Sequence, residues 1–271
     1  MGLPVHDIIT SEKKRGSTVT RLSINPDYLF LRDEMMEMSR LWADGEGESI
    51  YEGRNSVRVM GFHGMDFAVK RYKRLSLARR IVYTHFRSTK ALRGLIYSLE
   101  YRRRGVLTPE GIAAIEVYRH GILSDAYLVT QMSPGRELFL ELVMAETYDP
   151  ELALEVADFL FDMHGQGVMN KDSNLRNILT SEPDGEGKRI LECIDINRSI
   201  FTGKSFSREL IVKNLSRVTH RRELLMTIVE RYALRAGYPV KAFFDDVIKS
   251  LNDFERNRTV RHRLKKLIFN K

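Results

Sequence analysis

Asp172 and Asn177 lie five residues apart in the polar stretch NKDSNLRN, and a second aspartate, Asp195, follows a polar turn and the short apolar run ILECI. Oxygen-bearing side chains in this order offer what a hard divalent cation takes, and they include a carboxylate able to accept a proton from a hydroxyl. Upstream, Lys70 can hold an anion, and Glu100 is the only acidic residue between Lys70 and Arg104. The set suits phosphoryl transfer, which asks a protein mainly for positioning and charge neutralisation. Each member also has a plainer reading. Asp and Asn are common turn residues, Lys70 can be a solvated lysine on an edge strand, and Glu100 can balance the arginines around it.

The elements that must position these groups are legible in the periodicity. From Ser49 to Tyr72 the pattern is that of a strand hairpin: Val57 and Val59 alternate with Arg58, a turn falls at His63-Gly64, and Phe67-Ala68-Val69-Lys70 resumes. Period two places Ala68 and Lys70 on one face. Between Leu75 and Arg104 the pattern turns helical, with Leu92, Leu95, Ile96 and Leu99 as its stripe. Strands return over Ile112–Tyr118 and Ala126–Gln131 around a turn at His120-Gly121, and Met132-Ser133-Pro134-Gly135 breaks them. Asp149-Pro150 reads as a helix start, with Leu152, Val156, Phe159, Leu160 and Met163 as the buried stripe and His164 as a packed or capping histidine. Phe206 to Lys271 reads as four helical segments. Residues 1–44 read as an extension, whose Met-Gly start lacks the serine or threonine at position six of an acylation signal.

Composition narrows the class. A chain of 271 residues with 43% hydrophobic residues can bury a substantial core, and no apolar run has the length of a membrane span. The single cysteine, Cys193, allows no intrachain disulfide and sits in an apolar strand-like run. HExxH, GxSxG and GxxxxGK[ST] patterns are missing, which disfavours a zinc hydrolase, a serine hydrolase and a P-loop enzyme. A net charge of +8 with a pI near 9.5 points to an anionic partner.

The order of Lys70, Glu100, Asp172, Asn177 and Asp195 resembles that of protein-kinase-like phosphotransferases. More specifically, YEGRNSVRV, FAVKRYK, IVYTHFRSTKALRGLIYSLEYRRRGVLTPEGIAAIE, HGQGVMNKDSNLRNIL and LECIDINRS, spanning residues 49–202, resemble the lipopolysaccharide kinase (Kdo/WaaP) family. That resemblance implies an α+β, protein-kinase-like, two-lobed fold: an extension (1–44), a small β-rich N-lobe with one long helix (45–132) and a mainly helical C-lobe (133–271). It implies ATP and magnesium as cofactors and a Kdo or heptose hydroxyl of the lipopolysaccharide inner core as acceptor. Asp172 would contact that hydroxyl, Asn177 and Asp195 would hold the metal, and Lys70, joined to Glu100, would grip the phosphates. Gly53, Ala68, Gln131 and Ser133 would surround the nucleotide. Departures from the wider kinase pattern are Asn170-Lys171 in place of His-Arg or His-Gly, Ile196-Asn197 in place of Phe-Gly, and the lack of an APE segment.

Two basic clusters complete the reading: Arg79, Arg80, Arg87, Lys90, Arg93 and Arg102–Arg104 around one helix, and Arg261, Arg263, Lys265 and Lys266 near the carboxyl end. A solvated face is the plainer explanation. With a lipid-linked acceptor, the clusters become candidate contacts to an anionic membrane surface, in a protein expected in the cytoplasm and peripheral on the inner membrane, without a nucleic-acid partner. Protein or metabolite phosphorylation, or an inactive kinase-like binder of an anionic partner, are the alternatives.

Overall fold

The computed structural model describes residues 8–72 and 76–269, with backbone alone for Arg79 and 261–269. The carboxyl-terminal basic side chains Arg261, Arg263, Lys265 and Lys266 therefore lie outside the described residues, as does the Met-Gly start. The chain forms two compact units, Met1–Pro134 with Asp195–Asn197, and Gly135–Ile194 with Arg198–Lys271.

The first unit is built on β1 (Ile9–Arg15), β2 (Thr18–Ile24), β3 (Glu48–Glu52), β4 (Ser56–Phe62), β5 (Met65–Arg71), β6 (Gly111–Arg119) and β7 (Ile122–Gln131). They make one antiparallel sheet in the order β1-β2-β6-β7-β5-β4-β3. Both expected hairpins close through a His-Gly pair with positive φ, 52° and 76° at His63-Gly64 and 50° and 74° at His120-Gly121. That is the backbone a two-residue turn needs to follow strand twist. Residues 9–24, read from sequence as part of an extension, supply two strands instead. The sheet's alternation sorts its two faces. Phe67 and Val69 of β5, Ile115 and Val117 of β6, and Tyr127 and Val129 of β7 pack with Met35, Met38 and Trp42 from the short helices α1 (Arg32–Met36) and α2 (Met38–Ala43). After α3 (Leu77–His85) comes α4 (Lys90–Arg103), whose Ala91 and Leu95 pack with Tyr72, Ala114, Ala126 and Leu128. Because Tyr72 lies two residues after Lys70, the same alternation turns Lys70 and Ala68 toward the α4 side. Thr89 caps α4, its hydroxyl accepting from the Leu92 amide at 3.1 Å.

The second unit holds β8 (Arg136–Glu137), β9 (Val168–Asn170), β10 (Ile178–Thr180), β11 (Leu191–Cys193) and β12 (Ser199–Phe201) in two small sheets, ordered β11-β10-β8 and β12-β9. Its helices are α5 (Pro150–Gly165), α6 (Arg208–Leu215), α7 (Arg222–Ala236) and α8 (Val240–Phe269). The Asp149 side chain caps α5 by accepting from the amides of Glu151 and Leu152, and Pro150 occupies the first turn, where no amide partner is needed. Among the described residues the last part of the chain carries three helices where the sequence suggests four segments, because residues 240–269 run as one helix.

A buried polar chain ties these helices to the loop after β9. Asn214 of α6 donates from Nδ2 to the Asn170 carbonyl at 2.7 Å, which leaves its Oδ1 to accept from His164 Nε2 at 3.2 Å. His164 Nδ1 must then accept the Tyr232 hydroxyl, at 2.8 Å. The neutral ring satisfies both contacts, and burial pushes its pKa down to about 4. Between about pH 6.5 and 4 the unfolded chain binds a proton that the folded chain refuses, so stability falls as pH falls through that window. The loss amounts to about 3 kcal/mol by pH 4. Urea unfolding of the parent and of His164→Gln across this range should show the parent losing more stability on acidification by about that amount; parallel pH profiles would contradict the assignment.

Candidate active site

In the first unit the site is centred on Lys70 and Asp195. Lys70 Nζ donates to Asp195 Oδ1 at 3.1 Å, and both side chains remain open to solvent, 24% and 44% exposed. Asp195 sits at φ +50°, a left-handed conformation that Asp tolerates better than most residues. Two residues on, Asn197 Nδ2 donates to the Tyr72 hydroxyl at 2.9 Å, and the Lys70 ammonium lies 5.8 Å from the Tyr72 ring centroid. Burial raises the Tyr72 phenol far above its ordinary range, with the Asn197 hydrogen bond and the Arg93 charge pulling in the opposite direction. Gly94 of α4 makes room for Leu128, whose Cδ2 a Cβ there would meet at 2.6 Å, while Asn197 Nδ2 would lie at an ordinary contact distance of 3.6 Å.

Arg93 Nε and Asn197 Oδ1 are buried and have no hydrogen-bond partner among the described residues. An orphaned buried donor or acceptor costs about 1–3 kcal/mol, so such atoms mark where a polar ligand would be welcome. The donors also suit a nucleotide: cations for phosphate oxygens, and a hard oxygen ligand, Asp195, for a magnesium that keeps waters and phosphates in its shell. Among the described residues no three His, Cys, Asp or Glu side chains converge on one point, so no cage of protein ligands competes with that arrangement.

Glu100 is not the partner of Lys70, contrary to expectation. Its carboxylate, 2% exposed, accepts from Arg103 at 2.7 Å and from Arg104, three and four residues along the same helix. The Arg103 hydrogen bond holds Glu100 below the usual carboxylate range, with burial opposing it and Arg104 adding to it. Neighbours at these helical spacings face the carboxylate without folding the chain back on itself. Of the other expected nucleotide contacts, Ala68 pairs with Val59 and Thr130 across the sheet. Gly53 lies in the β3–β4 turn, its amide donating to the Asn55 carbonyl at 3.0 Å. The amides of Gln131 and Met132 are already given to the carbonyls of Glu110 and Asp66. An adenine edge at Gln131–Ser133 would therefore meet carbonyl oxygens, not those two donors.

In the second unit the loop after β9 presents Asp172 and Asn177. The Asp172 amide donates to Asn170 Oδ1 at 3.0 Å, and Asn177 Nδ2 donates to the Asp172 carbonyl at 2.8 Å. Both bonds shape the loop while leaving the Asp172 carboxylate 47% exposed, 3.4 Å from Arg198 Nη1. The bond uses the amide nitrogen of Asn177, so its side-chain oxygen is not the atom that holds the loop. Ser173 Oγ donates to the Asn214 carbonyl at 2.6 Å, and the Ile194 amide to the Asn177 carbonyl at 2.8 Å. Sequence reasoning had given no role to Tyr72, Arg198 and Asn214. Arg93 was read only as part of a basic cluster, and Asn170 and Asn197 only as departures from a pattern. Tyr72, Asn197, Arg198 and Asn214 act through partners far off in the chain, so no local spacing announced them.

Comparison with known proteins follows from this geometry. The family model of the lipopolysaccharide kinase (Kdo/WaaP) family matches residues 48–238. Among solved structures, WaaP in complex with acyl carrier protein superposes with a TM-score of 0.56 at 18% identity, covering 88% of this chain and 97% of that one. The Rio2 kinase from Chaetomium thermophilum, solved as an ADP/Mg2+-phosphoaspartate complex, gives a TM-score of 0.45 at 14% identity, over 89% of this chain and 71% of that one. No curated protein matches by sequence. The family match spans well over half of the 271 residues and the likeness to WaaP supplies the fold, so the chain belongs to the lipopolysaccharide kinase (Kdo/WaaP) family, a phosphotransferase with a protein-kinase-like fold that acts on an alcohol group.

Proposed function

We propose that the chain transfers the γ-phosphoryl group of ATP, with magnesium, to a Kdo or heptose hydroxyl of the lipopolysaccharide inner core at the cytosolic face of the inner membrane. The observation that carries this reading is the Lys70–Asp195 pair beside two orphaned buried polar atoms, Arg93 Nε and Asn197 Oδ1. Lys70 and Arg93 supply cations for the phosphates, Ala68 leaves room for the adenine, and Gly53 belongs to the turn over the phosphates. Asp195 and Asn177 offer oxygens to magnesium, which when bound neutralises charge on the transferring group. Asp172 accepts the proton of the acceptor hydroxyl, with Arg198 fixing the orientation of its carboxylate. Glu100 has a structural part in this account, holding Arg103 and Arg104 at the end of α4. Incubation with labelled ATP and a panel of core saccharides, peptides and aminoglycosides tests the acceptor: label in the saccharide supports the reading, and label only in peptide or aminoglycoside overturns it.

Replacing Asp172 with Ala should lower kcat by roughly a hundredfold to ten-thousandfold while ATP still binds; near-parental turnover at saturating ATP and magnesium would remove Asp172 from its role. Arg93→Met is expected to raise KM for ATP by about tenfold, the loss of a hydrogen bond to a charged group, with KM for the acceptor unmoved. Glu100→Gln separates the two possible roles of that carboxylate. Thermal unfolding should show a loss of ~1–3 kcal/mol with KM for ATP unchanged, whereas a large rise in that KM would restore Glu100 to the nucleotide site.

A further inference from the structure

Two ties hold the short segment from Asp195 to Asn197 within the first unit, and they share one register. Lys70 and Tyr72 lie two residues apart, on one face of β5 and its continuation. Each reaches a partner 125 residues away: Lys70 Nζ donates to Asp195 Oδ1 at 3.1 Å, and the Tyr72 hydroxyl accepts from Asn197 Nδ2 at 2.9 Å. The anchors differ in how firmly they are set. Tyr72 is 8% exposed, its amide donates to the Ala126 carbonyl at 3.0 Å, and it packs with Ala91, Leu95, Ala114 and Leu128. Lys70 is partly open to solvent and pairs with a carboxylate more open still, a pairing that contributes little by itself.

A nucleotide would treat the two ties differently. In the reading above, Lys70 turns to phosphate oxygens and Asp195 to magnesium, so each partner of the ion pair gains a new opposite charge and the pair loosens. The second tie joins two neutral groups and draws only on the amide nitrogen of Asn197. Asp195 meanwhile stands at φ +50°, a backbone conformation that persists where surrounding contacts over-determine it. Lys70 is one such contact, and it is given up when the ligand arrives.

We propose that Tyr72 is a positioning residue for the metal site. Acting through Asn197, it holds Asp195 in its left-handed conformation while Lys70 is drawn to the phosphates, so the carboxylate meets magnesium without first having to be ordered. This inference rests on the metal role proposed above for Asp195. It also gives a function to a departure from the wider kinase pattern, which carries glycine at the place of Asn197: glycine has no side chain for this bond.

The test compares the full chain with Tyr72→Phe, Asn197→Ala and the double variant, each checked for a folded circular dichroism spectrum. Tyr72→Phe keeps the ring in the core and removes the acceptor oxygen, and Asn197→Ala breaks the same bond from its less buried side, so the outcome does not hang on a core substitution. In calorimetric titration, metal-free ATP affinity should match the parent in all variants, because Lys70 is untouched. The increment that magnesium adds should fall about threefold to tenfold in either single variant, and no further in the double variant, because both substitutions break one bond. With metal-free ATP bound, hydrogen exchange in the peptide carrying Asp195 to Asn197 should be about fivefold faster in the variants than in the parent, and near parental when ATP is absent and the Lys70 pair intact. An unchanged magnesium increment in the folded single variants overturns the proposal. So does an equal loss of affinity with and without magnesium, or exchange that rises equally without ATP, which would make Tyr72 a packing residue only; so does a double variant that loses both single decrements in full. A parent without any magnesium increment refutes the metal role of Asp195 instead, and the contrast in exchange between ATP-bound and free protein then decides alone whether Tyr72 holds the segment.

Discussion

The ion pair between Lys70 and Asp195 is the contact on which the chemistry proposed for the first unit depends. Strand alternation in β5 sends Phe67 and Val69 into the core with Met35, Met38 and Trp42, and so leaves Lys70 on the opposite face. There it meets Asp195, a residue that arrives from a distant part of the chain and belongs with the first unit. The same short segment is tied a second time where Asn197 donates to Tyr72, a role that glycine at this position could not fill. Asp195 adopts a left-handed backbone at this point. Strain of this kind persists only where surrounding contacts fix it, and Lys70 and Tyr72 supply those contacts.

The second unit solves a different problem, how to hold a loop while leaving its carboxylate open to solvent. Its answer is a chain of committed amides. Tyr232 donates to His164, His164 to Asn214, Asn214 to the Asn170 carbonyl, and the Asn170 side chain accepts the Asp172 amide. Every donor in this chain has one acceptor, so the geometry is set without spending the Asp172 side chain. Burial keeps His164 neutral, and the neutral ring lets Nδ1 accept from Tyr232 while Nε2 donates to Asn214.

Much of this architecture was legible because it rests on local rules. The His-Gly turns, the Asp149-Pro150 helix start and the period-two placement of Ala68 and Lys70 each follow from a few adjacent residues. The chain order of Lys70, Asp172, Asn177 and Asp195 pointed to phosphoryl transfer because order along the chain is read without knowing contacts. What failed was choice among partners. Glu100 had Lys70 as one candidate and Arg103 and Arg104 as others, and the nearby arginines reach it with little loss of chain freedom. Residues 9–15 gave no strand signal because β1 is an edge strand with almost every side chain exposed, so no apolar face alternates. Asn214 owes its role to contacts, and Arg93 to a burial, that only the folded chain creates.

The central claim is that the Lys70–Asp195 pair is the place where a magnesium nucleotide is held. Calorimetric titration of ATP into the parent and into Asp195→Asn, each with and without magnesium, addresses it directly. Magnesium should tighten ATP binding to the parent by about tenfold or more, and Asp195→Asn should lose that increment while keeping the weaker, metal-free binding that Lys70 supports. An increment of the same size in both proteins would contradict the account.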